Sequence, residues 1–247
     1  SRRRRLCGAA RPGWQSILCC TKIGRVKKWE EKREVFGLIT KESWLKSIMA
    51  GICIGVGGIV YLSLDNKMVG AALFASGLFT ICTLGYNLFT GKACYLPGSE
   101  QKGKYLLWLL QIWVGNLIGA AATGYLIRLT RAGSALAEKA QGLCETKLSD
   151  SLLSIFILAV FCNLMIYIAV ENFKSNPHTL GKYLAIFLGV MVFILAGFEH
   201  CVANMFYFSV ANMWSLRTVL YLLVMTAGNA VGGMIPEMVR RVSASQK

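Results

Sequence analysis

Six uncharged, mostly apolar runs divide this chain: 47–64, 68–91, 105–127, 151–170, 183–216 and 218–236, the fifth interrupted only by Glu199. A helix needs about 20 apolar residues to cross the hydrocarbon of a bilayer. Lipid offers the backbone no hydrogen bonds, so each crossing must satisfy its own and become helical. The runs therefore predict an all-α integral membrane protein with six transmembrane helices. Only 16% of the residues are charged, against about 25% in an ordinary soluble domain. Mean hydropathy is +0.52. Three segments are expected: a basic cytoplasmic N-terminal segment at 1–46, a six-span membrane domain at 47–239 and a short basic tail at 240–247.

The net charge of +15 invites a nucleic-acid reading, which its distribution opposes. Arg2 to Arg5, Arg11, Lys22, Arg25, Lys27, Lys28, Lys32, Arg33, Lys41 and Lys46 all precede the first run. A polybasic stretch beside a span suits anionic lipid headgroups and the positive-inside rule, so the expected partner is membrane lipid and not nucleic acid. Six spans put both termini on one side. Lys67, Arg128, Arg131, Lys139, Lys147 and Arg217 then fall outside and the other 21 of the 27 Lys and Arg inside. Both termini are expected in the cytoplasm, with the protein in the cell (inner or plasma) membrane. The nine cysteines form no CxxC pair. Cys53, Cys82, Cys162 and Cys201 lie in apolar runs, where a thiol acts as a small hydrophobe. Cys19 and Cys20 read as free cytosolic thiols, with acylation the alternative. The basic start lacks a secretory-signal pattern.

An internal repeat is legible. Val114-Gly115-Asn116-Leu117-Ile118-Gly119 matches Ala227-Gly228-Asn229-Ala230-Val231-Gly232, 113 residues on. Three spans apart, the two copies run in opposite membrane orientations, as in an inverted-topology repeat of about 47–128 and 151–239. Glycines four residues apart also let helices approach closely. The second and fifth runs hold equivalent places. One ends in Gly85-Tyr86-Asn87-Leu88-Phe89-Thr90-Gly91; the other carries Gly197-Phe198-Glu199-His200 midway. Both are expected to be broken helices, which mark the substrate site in repeat-built transporters.

Glu199 and His200 are the leading site candidates. An ionisable residue at membrane depth is a functional candidate by default, and histidine both donates to anions and changes charge near neutral pH. Neighbouring helical residues point about 100° apart, so His200 is assigned to the pathway and Glu199 to nearby donors. A structural pair remains the alternative. Thr90 offers a hydroxyl, though a threonine at a helix break is commonly a cap. Phe74, Leu78 and Phe193 suit apolar constrictions, which gate by excluding water, or plain packing. Lys147, ahead of the fourth run, either attracts anions or is a solvated loop lysine.

Taken together these segments resemble the formate/nitrite transporter family. Gly197-Phe198-Glu199-His200-Cys201-Val202-Ala203-Asn204-Met205 is similar to its signature around a central histidine, and Leu88-Phe89-Thr90-Gly91 to its second-span signature. Cys162-Asn163-Leu164 and Gly228-Asn229 are also similar, and the likeness covers roughly 48–239. The resemblance implies an aquaporin-like fold with broken second and fifth helices and a homopentamer with one pore per protomer. It implies His200 as the central histidine with Thr90 near it, and Phe74 and Leu78 as one constriction with Phe193 as the other. It implies Lys147 in the outer vestibule and Asn163 and Asn229 facing the pore. The N-terminus departs from the family, and none of Lys22, Lys28, Lys32 or Lys41 aligns cleanly with its vestibule lysine.

The expected function is passage of small monovalent anions or their conjugate acids, of formate, nitrite or hydrosulfide type, with a proton as possible co-substrate. No cofactor, metal or catalytic residue is expected. A neutral-solute channel of the same architecture is the first rival. An intramembrane enzyme using Glu199 and His200 is the second; a metal site needs three or four ligands, and the only other histidine is His178.

Overall fold

The computed structural model describes residues 39–245. Cys19, Cys20, Lys22, Lys28, Lys32 and most of the basic 1–46 segment lie outside the described residues, as does the end of the 240–247 tail. Among the described residues there are nine α-helices, one 3-10 turn and no strand.

Polar residues at the ends of the apolar runs start the helices. Thr40 Oγ1 accepts the N–H of Ser43 at 3.1 Å and opens α1 (Lys41–Ser63). Asn66 Oδ1 accepts from Met68 and Val69 and opens α2 (Lys67–Leu84). Ser151 Oγ does the same for α6 (Leu152–Ser175) through Ser154. Such caps satisfy first-turn N–H groups that have no partner in the helix. The remaining helices are α3 (Phe89–Ala93), α4 (Lys102–Arg128), α5 (Gly133–Ser149), α7 (Thr179–Leu195), α8 (Cys201–Ala211) and α9 (Leu216–Ser245), and the 3-10 turn spans Leu96–Gly98. Helices α1, α2, α4, α6 and α9 are long and apolar enough to cross a membrane; α7 and α8 are apolar but shorter.

One element escapes hydropathy. Residues 129–150 read as an outer connection, yet 133–149 form α5. It is too polar to span, and it folds because Leu136, Ala140 and Cys144 find buried places against its neighbours.

Small residues hold the two halves. A Cβ on Gly119 of α4 would strike the Ile48 carbonyl of α1, and one on Gly232 of α9 would strike the Val160 carbonyl of α6. Lipid tails are as apolar as leucine, so helices in a membrane associate through such close packing. The pairs α1/α4 and α6/α9 thus pack alike, each through the second glycine of its Gly-Asn-x-x-Gly segment.

Candidate functional site

The two segments flagged as odd in the sequence share one construction. Helix α2 ends through Gly85 at φ 69° and α7 through Gly197 at φ 71°. Tyr86 N–H then closes onto the Ile81 carbonyl at 3.0 Å, and Phe198 N–H onto the Phe193 carbonyl at 2.9 Å. This is a Schellman termination, in which a glycine in the left-handed region satisfies last-turn carbonyls. Beyond it the chain is extended. Asn87 N–H reaches the Lys46 carbonyl and Glu199 N–H the Leu158 carbonyl, both at 3.3 Å.

One asparagine braces each extended piece. Asn116 Nδ2 donates to the carbonyls of Ser47 (2.7 Å) and Asn87 (2.9 Å), while its Oδ1 accepts the N–H of Phe89 at 2.8 Å. Asn229 Nδ2 donates to the carbonyls of Ala159 and Glu199, both at 2.8 Å, while its Oδ1 accepts the N–H of Cys201 at 2.8 Å. Exposed backbone at membrane depth is tolerated only where it is bonded in this way. The matched asparagines therefore have a physical purpose that small-residue packing does not supply. Asn229 commits its whole amide to it.

The two short helices after the breaks bring His200 and Thr90 together. His200 is the N-cap of α8, and its Nδ1 accepts the N–H of Ala203 at 3.1 Å. An accepting Nδ1 carries no proton, so in the neutral ring the hydrogen sits on Nε2. Nε2 then donates to Thr90 Oγ1, on α3, at 3.0 Å. That leaves the Thr90 hydroxyl hydrogen for another acceptor. Both side chains are buried. Phe193 stacks on the imidazole with centroids 5.6 Å apart, and Phe74 meets Phe193 edge-on at 6.2 Å. Leu78 is buried one turn along α2 from Phe74. The residues assigned to two constrictions thus include a pair, Phe74 and Phe193, in direct ring contact.

Glu199, which is buried, and Lys147, which is half-buried, form an ion pair. Lys147 Nζ donates to both carboxylate oxygens of Glu199, at 2.7 and 2.6 Å, and Asn204 Nδ2 donates to Oε2 at 2.8 Å. The side chains are 16% and 4% exposed. Lys147 lies in the last turn of α5, so its charge is matched by Glu199 instead of standing free in a loop. Asn204, on α8, is part of this cluster and was not among the site candidates; a polar amide inside an apolar run was the available signal. The nearby Cys144 thiol is pushed up to about 12 by burial, which keeps it protonated and inert. Asn163 Nδ2 donates to the carbonyls of Thr90 (3.1 Å) and Asn229 (2.6 Å), so it joins both half-sites. No cluster of three metal-ligating side chains occurs among the described residues.

The formate/nitrite transporter family model matches residues 27–239. The chain belongs to the formate/nitrite transporter family. A probable formate transporter of Methanothermobacter thermautotrophicus is 30% identical, over 76% of this chain and 83% of its own length. The nitrite transporter NirC of Salmonella typhimurium is 28% identical, over 78% and 79%. Among solved structures, a pentameric formate channel with formate bound superposes with a TM-score of 0.74 at 24% identity, covering 87% of this chain and 99% of that one. This family member is therefore a multi-pass membrane channel or transporter of formate/nitrite type and not an enzyme.

Proposed function

We propose that this formate/nitrite transporter passes a small monovalent anion or its conjugate weak acid along a path centred on His200 and Thr90. The observation that carries the reading is the buried 3.0 Å bond between these two side chains, beside the aromatic rings of Phe193 and Phe74. In this reading α2 with α3, and α7 with α8, each make one interrupted crossing, which gives six in all. The termini are cytoplasmic and the membrane is the cell's inner or plasma membrane. Segments 1–46 and 240–247 flank a channel domain at 47–239. The protomers form a homopentamer with one pore each, a reading supported by the pentameric relative.

The mechanism follows from desolvation. Lys147 keeps an ammonium hydrogen beyond the two that serve Glu199, and it draws anions towards the outer mouth. Phe74, Leu78 and Phe193 strip water from what enters, which disfavours the charged form of a weak acid and favours the neutral one. At the centre the Thr90 hydroxyl donates to the permeant, while the Nε2–H of His200 orients that hydroxyl. Asn163 and Asn229 hold the two half-sites in register.

Uptake of formate, nitrite and hydrosulfide into proteoliposomes, each at about pH 5.5 and about pH 7.5, tests the reading. The expected result is uptake above that of empty liposomes, rising at the lower pH. Absence of uptake for all three overturns the substrate class, and uptake of glycerol in their place establishes a neutral-solute channel. Light scattering on the purified protein checks the pentamer.

A further inference from the structure

The repeat is close to exact around the breaks, and this makes its departures informative. Residues of α1 and α2 find their matches 112 residues later: Lys46 with Leu158, Ser47 with Ala159, Gly85 with Gly197, Asn87 with Glu199. Those of α4 find theirs 113 later, as Asn116 with Asn229. By the same offsets Gly51 matches Asn163, and Ala120 matches Gly233.

In the first half the packing at this point demands the smallest residue. A Cβ on Gly51 would strike the Asn116 carbonyl, and it would lie 2.8 Å from the Ala120 nitrogen. In the second half the same point holds a whole carboxamide, and Gly233 stands where Ala120 stood. A Cβ on Gly233 would strike Cys94 Sγ and would lie 2.5 Å from Asn163 Nδ2. The glycine has changed helix, making room for the amide and for the Cys94 thiol beside it. Scaffold symmetry does not require this exchange, since the first half holds its break without it.

The amide is fully buried, and its orientation is not ambiguous. Its nitrogen faces the carbonyls of Thr90 and Asn229, which only a donor satisfies. A flipped amide would set oxygen against oxygen. Oδ1 is left with no partner among the described residues. An unsatisfied buried acceptor is destabilising, and native proteins keep few of them.

We propose that Asn163 Oδ1 is a substrate-selecting acceptor that receives the O–H of the neutral weak acid beside the His200–Thr90 pair. Thr90, whose carbonyl Asn163 holds, offers a donor for the acid's carbonyl oxygen. Asn163 offers the acceptor for its hydroxyl. An anion has no hydrogen to give and meets the negative end of the amide dipole, so the pair of groups reads protonation state. The inference rests on the transport reading above.

The test compares a strong donor with a weak one. Formic acid presents O–H, and hydrogen sulfide presents S–H, a weak donor. Two variants remove the acceptor: Asn163→Ala, and Asn163→Gly, which places the first half's own residue at this point. Uptake of formate and of hydrosulfide is measured in proteoliposomes, with empty-liposome uptake subtracted and the elution volume of each variant compared with wild type. The expected result is that formate uptake falls about tenfold further than hydrosulfide uptake, a difference of about 1.4 kcal/mol, because both permeants share whatever is lost with the amide's ties to Thr90 and Asn229 while only formic acid loses the partner of a strong donor. Equal loss of both permeants in a variant that elutes as wild type assigns Asn163 a structural role and overturns the proposal. So does unchanged formate uptake, which would leave Oδ1 to an ordered water. Failure of wild type to take up either permeant would instead overturn the transport reading.

Discussion

His200 serves two masters with one ring: Nδ1 caps α8, and Nε2 orients Thr90. Replacing it with phenylalanine keeps the stacking on Phe193 but removes both bonds. Formate uptake by His200→Phe should fall by about tenfold or more, the scale of one lost hydrogen bond, and its pH dependence should change. Wild-type uptake with an unchanged pH profile would remove His200 from the mechanism. Glu199 and Lys147 pose a different question, because they pair a buried carboxylate with a half-buried ammonium. Removing one partner strands the other charge, at a cost of about 3 kcal/mol or more. Lys147→Met should therefore lower the thermal midpoint in detergent sharply, and adding Glu199→Gln should restore much of it. The sequence marked both residues but not their contact, since a separation of 52 positions carries no distance information.

At the scale of elements, the two breaks are stabilised by conformation and by bracing, and these can be separated. Gly85 and Gly197 have no heavy atom within 4 Å of a built Cβ. Alanine at either site would meet only the left-handed backbone penalty, about 1 to 2 kcal/mol. Asn229→Ala removes three hydrogen bonds and strands the carbonyl of Glu199 and the N–H of Cys201, while the Ala159 carbonyl, inside α6, keeps its helical partner. Its cost should be about 3 kcal/mol or more. Thermal melts of the two variants should rank in that order; the reverse ranking would contradict the bracing role. The two segments stood out in the sequence because glycine and polar residues are conspicuous in an apolar run. Helix α5 did not, because its stability comes from tertiary burial of Leu136, Ala140 and Cys144 and leaves no trace in hydropathy.

For the whole molecule, ties across the connections between helices add little to stability. Lys139 of α5 donates to Asp65 at 2.9 Å, which holds that carboxyl below its ordinary value of 3.8. A depressed carboxyl stabilises the fold above its unfolded pKa and loses that contribution as pH falls through the lower folded value. Asp65 is fully exposed, so screening leaves the pair weak. Asp65→Asn should leave the thermal midpoint near neutral pH unchanged to within about 1 °C, and a large drop would show that α5 depends on this tie. Six apolar runs sufficed to read a helical membrane protein from the chain alone, and the segments 88–91 and 197–205 carried the resemblance to its family. Lipid imposes length, apolarity and backbone satisfaction on every crossing, and these are local properties. The pairing of Lys147 with Glu199, the tautomer of His200 and the unpaired oxygen of Asn163 came from the fold. Each depends on which atoms from distant segments arrive within 3 Å or so of one another, and that is a property of packing in three dimensions.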